Sequence, residues 1–378
     1  MLRRAGGDPL QLAAMTVLLP NRRACRALQE AFLRQAGLDR AGLDGAELDP
    51  SRQAKSRALL LPRLQPIGDI DEDDLAVLSG GGDALDLPPA IDPLRRQLLL
   101  ARLVMASRPR FQPESEALRW QDAVRLAADL GRLLDQVETE GCDLAALGNL
   151  VTGDLAQHWQ LTVNFLDILR DAWPAILREE GAIDTAVRRN LLLQRQRDLW
   201  LRHPPAGPVI AAGSTGSIPA SAELIATIAR LPQGCVVLPG LDRSVEDSVW
   251  AAIAEDPSHP QFGLALLLRR IGIERDAVED WSSAAEAPIV ETRRRLIAQA
   301  LMPADCTDRW SAAARLLDPA AAAQAWAPVQ RIDCRSRQEE AGVIALILRR
   351  HVETPGARRA ALVTPDRRLA AQVAAELR

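Results

Sequence analysis

The chain has 378 residues, 48% hydrophobic and 25% charged, globular averages that supply a sizeable core and exclude both global disorder and a single small disulfide scaffold. Forty-six Lys and Arg against fifty Asp and Glu leave a formal charge of −4, which excludes a polybasic, histone-like protein and confines any polynucleotide contact to a local patch. No run of roughly 18 uncharged apolar residues exists and residues 1–11 lack the apolar centre of a signal peptide, so a soluble, cytoplasmic protein without membrane contact is expected.

In chain order, a short apolar strand is predicted over 16–19, closed by Pro20 and followed by an amphipathic helix over 22–35. From 39 to 86 eleven acidic residues face five basic ones, and Gly80, Gly81, Gly82, Pro88 and Pro89 mark loop; a buried strand is predicted at 59–64. Segments of 3.6-residue period then predict helices over 93–106, 114–138, 155–177 and 184–202. From Pro208 strands and helices alternate again: strand 209–212, helix 220–230, strand 235–238 and helix 244–254. Helices are predicted over 259–271, 291–301 and 308–317, and 319–327 reads as a linker or fraying helix. A last α/β stretch follows, with strands 330–334 and 360–363 and helices 337–351 and 367–377. Two strands and two helices cannot bury both faces of a parallel sheet, so this last part is expected to be truncated or completed by something absent.

Ligands of open α/β sheets sit at strand-to-helix turns, where helix N-termini offer unpaired N–H groups. Three such turns carry polar signatures: Asn21, Arg22 and Arg23 after Pro20; Gly213, Ser214, Thr215, Gly216 and Ser217 before Pro219; and Thr364, Asp366 and Arg367 around Pro365. Each offers amides or guanidinium groups suited to phosphate. For the glycine-hydroxyl turn, a tight, capped connection and a phosphate contact both remain open. An ATPase loop needs G-x-x-x-x-G-K-[ST], but Gly213–Ser217 has no lysine. The one lysine, Lys55, precedes Ser56 without the upstream glycine, and neither strand at 209 or 235 ends in an Asp-Glu pair.

Asp69, Asp71, Glu72, Asp73 and Asp74 read as a solvated acidic turn, because the EF-hand spacing of glycine and glutamate is not met. Four separate histidines, five scattered cysteines without C-x-x-C spacing and no G-x-S-x-G elbow leave no catalytic or metal constellation visible. Trp120, Trp159, Trp173 and Trp200 fall in amphipathic helices, where packing outweighs base stacking. Between 329 and 378 ten arginines face six acids, either a basic patch or a solvated helix face.

The succession Val17-Leu18-Leu19-Pro20-Asn21-Arg22-Arg23-Ala24, Leu61-Pro62-Arg63-Leu64-Gln65-Pro66-Ile67-Gly68-Asp69, Ala211-Ala212-Gly213-Ser214-Thr215-Gly216-Ser217-Ile218-Pro219-Ala220 and Val237-Leu238-Pro239-Gly240-Leu241-Asp242 resembles the AddB subunits of bacterial AddAB helicase-nucleases, particularly the alphaproteobacterial type. His259-Pro260-Gln261-Phe262-Gly263 and the stretch from Gln338-Glu339-Glu340-Ala341 to Asp366-Arg367 continue the likeness. It implies an α/β fold: a degenerate RecA-like, P-loop-type parallel-sheet domain with a large all-α insertion, plus the start of a second RecA-like domain. The expected parts are 1–91 and 205–327 for the first helicase-like domain, 92–204 for the helical insertion and 328–378 for the second.

The implied function is that of a non-motor, DNA-binding subunit in double-strand break repair, holding single- and double-stranded DNA beside an AddA-like motor and scanning for the hotspot Chi. By position, Asn21–Arg23, Gly213–Ser217, Asp242 and Arg243, and Thr364, Asp366 and Arg367 become the DNA-contact candidates. Upstream of Thr16 the family's first strand and nucleotide loop are expected to be absent or reduced to 1–15. Its nuclease, with magnesium and an iron-sulfur cluster, is expected beyond Arg378, which leaves no cofactor, metal or catalytic residue for this chain. An active nucleotide-hydrolysing enzyme using Gly213–Ser217 and a scaffold without DNA affinity are the competing readings.

Overall fold

The computed structural model describes residues 9–35, 60–70, 72, 75, 87–111, 119–143, 146, 166, 170–281, 288–354, 356 and 360–378. Lys55, Ser56, Asp71, Asp73, Asp74, glycines 80–82, His158, Trp159 and most of the helix predicted over 155–177 lie outside them. The chain divides into two compact units, residues 1–284 with 301–308 and residues 285–300 with 309–378. The sequence-level boundary at 327/328 falls inside the second unit.

The first unit is mixed α/β around a four-stranded, all-parallel sheet of order β2-β1-β3-β4, formed by β1 (Thr16–Leu19), β2 (Arg63–Pro66), β3 (Val209–Ala212) and β4 (Gly234–Val237). β1 pairs Thr16 with Arg63 on one side and with Val209 on the other. The apolar strands alternate between two covered faces. Leu18, Val209 and Ala211 pack with α5 (Thr185–Arg202) and α6 (Pro219–Arg230) through Leu192, Leu193, Leu199, Leu224, Ile225 and Ile228. On the opposite face Val17, Leu19 and Ile210 pack with Ala24, Cys25 and Leu28 of α2 (Arg22–Gln35). Burial on both sides is why these strands read as continuous apolar runs, and parallel sheets require it.

The strand predicted at 59–64 lies instead at Arg63–Pro66. Pro62 has no N–H to donate, so the ladder begins after it, with Arg63 N on Met15 O at 2.9 Å and Ile67 N on Leu19 O at 2.7 Å. β2 is an edge strand, where its terminal Pro66 is tolerated. A short helix α1 (Pro9–Ala13) precedes β1 and buries Leu12 against Met15 and Phe32.

Between β2 and β3 in sequence stand α3 (Pro93–Phe111), α4 (Trp120–Glu140), helical residues 170–179 and α5. Leu99, Leu100, Val104, Ala123, Ala127, Leu130, Leu134 and Trp173 make their apolar cluster. Beside it lies a charged knot. The Arg96 guanidinium reaches Asp184 at 2.7 Å and Asp135 at 2.8 Å, and the Trp173 indole N–H donates to Asp184 at 2.8 Å. Asn190 Nδ2 donates to the Glu138 carbonyl at 2.7 Å, tying α5 to the end of α4. α5 thus joins this knot to the sheet layer. Arg188 adds a fork to the Glu72 carboxylate, which its hydrogen bonds hold below the usual carboxylate range.

After β4 come α7 (Asp247–Ile253) and α8 (Phe262–Ile271). The buried Arg275 guanidinium donates to Asp247 at 2.9 Å and lies 5.3 Å from the Trp250 ring centroid, so a cation-π contact fastens the turn after α8 to α7.

In the second unit α9 (Pro288–Ala300) packs on α11 (Pro319–Trp326), with Arg293 Nε on Ala325 O at 2.9 Å. α10 (Trp310–Leu316) starts at Trp310, whose indole donates to Gln299 O at 2.8 Å. Residues 319–326, read as a linker or fraying helix, form a capped helix: Pro319 opens it and Asp318 accepts from Ala320 N at 2.9 Å. α12 (Arg337–Glu353) and α13 (Arg367–Glu376) close on Ala341, Ala345, Leu369 and Val373.

The strands predicted at 330–334 and 360–363 are not formed; both stretches are without assigned secondary structure and carry no ladder. Two segments joined by one helix leave a sheet face bare, and Val363 is 93% exposed. Among the described residues no helix is long and apolar enough to cross a membrane.

The charged knot generates a prediction. Burial, and then the charge of Asp184, push the Glu138 carboxyl above its ordinary range, only partly opposed by Arg96. The native state therefore binds this proton more tightly than the unfolded chain. Its stabilisation is full below the unfolded pKa and lost as pH rises through the raised folded value. Glu138→Gln is expected to melt at a higher temperature than the wild type at pH 8, and the gap should close by pH 4 in parallel thermal melts.

Candidate nucleic-acid interface

All four strands run the same way, so their C-terminal ends share one edge of the sheet. β1 connects outward to β2 on one side, whereas β3 connects to β4 on the other. The chain direction across the sheet reverses between β1 and β3, the place where open α/β sheets leave a crevice. Two of the sequence-selected corners meet there. A Cβ on Gly213 would stand 3.4 Å from Pro20 Cγ, so the turn after β3 lies directly against the turn after β1.

The first corner is a two-residue connection. Asn21 Oδ1 caps α2 by accepting from Ala24 N at 2.9 Å. The first turn of α2 contains no acidic residue and carries Arg22 and Arg23. Cations at the positive end of a helix dipole are disfavoured by about 0.3–1 kcal/mol each unless an anion is near. Arg22 finds one in Asp69, just past the end of β2, with Nη2 at 2.7 Å and Nε at 3.0 Å from the same Oδ2. One turn further on, the Cys25 thiol is pushed up by its burial and also by the charge of Asp69. Arg23 is exposed and has no ion-pair partner among the described residues.

The second corner spans residues 213–218. Gly213 extends the ladder by donating its N–H to Val237 O at 2.9 Å, and Gly216 N donates to Ser214 Oγ at 3.3 Å. Gly213 and Gly216 adopt φ of 79° and 66°, which side chains on Cβ rarely tolerate. A Cβ on Gly216 would also meet Leu267 of α8 at 3.1 Å. Pro219 opens α6, Ile218 supplies no side-chain cap, and the first turn again has no acid. Tight packing on α8 gives this turn its shape, as the structural reading of it expects, and the helix it opens has no carboxylate in its first turn.

The third corner, after β4, is held by Gln261 at the start of α8. Its Nε2 donates to Gly240 O at 2.9 Å and its Oε1 accepts from Asp242 N at 3.1 Å. Asp242 folds back on Ser244, accepting from Oγ at 2.6 Å and N at 2.8 Å. Arg243 pairs with Asp280 at 3.2 Å. Asp69, Gln261 and Asp280 were not among the residues singled out as contacts. By sequence Asp69 falls in an acidic turn and in the stretch that carries the resemblance, and its partnership with Arg22 follows from β2 lying beside β1, which local sequence does not report.

Thr364, Asp366 and Arg367 belong to the second unit. Asp366 caps α13, with Oδ1 accepting from Arg368 N at 2.8 Å and Leu369 N at 3.3 Å, and pairs with Arg337 at 3.0 Å. Those amide bonds hold its carboxyl below the usual range. Thr364 Oγ1 accepts from Asp366 N at 3.1 Å.

Among the described residues, the sheet edge of the first unit offers two acid-free helix starts and the Arg22 and Arg23 guanidinium groups, and it shows no phosphate-wrapping loop. Only Pro20 and Asn21 separate β1 from α2, too few for a phosphate-wrapping loop, and the loop after β3 has no lysine. Among the described residues no group of three or more His, Cys, Asp and Glu comes together as a metal site. The free cysteines differ widely in burial, from exposed Cys142 to buried Cys306. Among the described residues no set of side chains is gathered that would hold an iron-sulfur cluster or a magnesium ion. No family model matches the chain, and no curated protein matches it significantly.

Gly216→Ala tests the geometry of the second corner. It should lower unfolding stability by about 1–3 kcal/mol in urea titration, from positive φ and the Leu267 contact together. An unchanged midpoint would mean that the turn has another shape.

Proposed function

We propose that the chain is a passive DNA-binding subunit of the AddB kind, with a degenerate RecA-like sheet interrupted by the helices between β2 and β3. It grips a strand beside an AddA-like motor during double-strand break repair in the cytoplasm, and it hydrolyses no nucleotide itself. The observation that carries this reading is the meeting of two acid-free helix starts at the β1/β3 crevice, one of them bearing Arg22 and Arg23. A helix end that concentrates positive charge without a carboxylate of its own suits a phosphodiester backbone. Backbone contact is sequence-independent, in keeping with a holding role; Chi scanning is the finer part that the resemblance contributes.

Fluorescence anisotropy with a labelled oligo-dT over a salt series tests it. Affinity should fall linearly with salt on logarithmic axes. Arg23→Gln should weaken binding several-fold and flatten the slope by about 0.7, the loss of one phosphate contact to a single strand. No binding by the wild type at low salt would refute the reading. ATP turnover stimulated by single-stranded DNA and abolished by Thr215→Ala would replace it with the enzymatic one.

A further inference from the structure

In the second unit, the face of α12 turned away from α13 is bare. Ala341 and Ala345 are buried with Leu369 and Val373, and Ile344 and Leu348 pack beside them. The helical period puts Glu339, Val343, Leu346 and Arg350 together on the opposite side. Leu346 is 68% exposed, and Ile347 at the edge of this stripe is 41% exposed. A Cβ on Gly342, at its other edge, would meet nothing within 4 Å. Scattered exposed apolar residues are ordinary, but here charge frames them in order. Glu339 stands at the N-terminal end, where its carboxylate is held by accepting from Arg335 N at 2.7 Å. Arg350 stands at the C-terminal end without an ion-pair partner among the described residues, because Glu353 takes Arg349 at 2.8 Å.

This stripe is its own complement. Turned end over end about the point midway between Ile344 and Ala345, it sets Glu339 opposite Arg350 and Val343 opposite Leu346, and the copy it faces does the same. A parallel arrangement would instead set Glu339 against Glu339 and Arg350 against Arg350. We propose that this face of α12 is a homodimer contact, on which a second copy of the chain docks antiparallel about a two-fold axis. Such a contact is isologous, so each pairing occurs twice, and the opposed helix dipoles favour the same direction. One helix face is smaller than the roughly 800 Å² per partner of a standard interface, so the dimer is weak, dissociating in the micromolar range. The proposal stands on the second unit alone and does not draw on the DNA-binding reading.

Sedimentation equilibrium of the full chain over a concentration series tests it. The wild type should move from monomer toward dimer as concentration rises. Leu346→Asp, a change at an exposed position, should weaken the association about tenfold or more. Glu339→Arg and Arg350→Glu each set like charges together at both ends of the dimer, and each should weaken it about tenfold. Mixed one to one, these two variants should associate as the wild type does, because every end then pairs an arginine with a carboxylate. Circular dichroism verifies folding. Should Glu339→Arg unfold with the loss of its cap, weakening by both Leu346→Asp and Arg350→Glu supports the contact and an unchanged dimer overturns it. A wild type that stays monomeric, a dimer indifferent to Leu346→Asp, or two folded charge variants that fail to recover on mixing would each overturn the proposal.

Discussion

The hydrogen bonds of β1 to both of its neighbours are what the rest of the first unit depends on. Thr16 faces Arg63 on one side and Val209 on the other, so four residues of strand draw together parts of the chain far apart in sequence. Parallel pairing leaves no choice about polarity: once β1 lies between β2 and β3, all their C-terminal ends open on one edge. Asn21, Asp69 and Gly213 become neighbours for that reason alone. The helices between β2 and β3 alter the length of the excursion without altering where it returns. α5 makes the return rigid, because Leu192, Leu193, Leu199 and Trp200 are buried against the sheet layer.

That edge is electrostatically under-compensated by local rules. Helices normally gather carboxylates in their first turn. α2 and α6 have none, and α2 has arginines instead. The positive field at the start of α2 is met partly by Asp69, past the end of β2, and at Arg23 it is not met by any described residue. A corner optimised for stability alone would place an acid at one of these positions. The exposed Arg22–Asp69 pair supplies part of what the helix start lacks.

Local sequence carried the elements whose cause is local. Thr16–Leu19 and Arg22–Gln35 are legible because an apolar run ends at proline and an Asx cap begins a 3.6-residue period. β2 was displaced because apolar character at 59–62 outweighed the donor that Pro62 lacks, a ladder property visible only with a partner strand. Residues 330–334 and 360–363 have strand composition, yet a strand exists only by pairing, and their composition says nothing about whether neighbours are present. Residues 319–326 were underrated for the opposite reason: Ala-rich text looks indifferent, although Asp318 and Pro319 supply a start signal. The glycine corner is legible as a turn from its residue types, whereas its contact with Pro20 and the role of Gln261 depend on the sheet order.

The same local solution appears in both units, and the comparison separates what is structural in it from what is free to serve binding. Pro20-Asn21-Arg22-Arg23 and Pro365-Asp366-Arg367-Arg368 each place an Asx cap after proline and two arginines on the opening turn of a helix. Capping alone explains the Asx: Asn21 satisfies Ala24 N and Asp366 satisfies two amides. It does not explain the arginine pairs, which the dipole disfavours at a helix start. In the second unit the cap is itself anionic and offsets that cost, with Arg337 added to the cluster. In the first unit the cap is neutral, and the compensating carboxylate comes from Asp69, past the end of β2, on an exposed contact. Of the two corners, the first is therefore the one whose arginine pair depends for its compensation on a carboxylate outside its own helix.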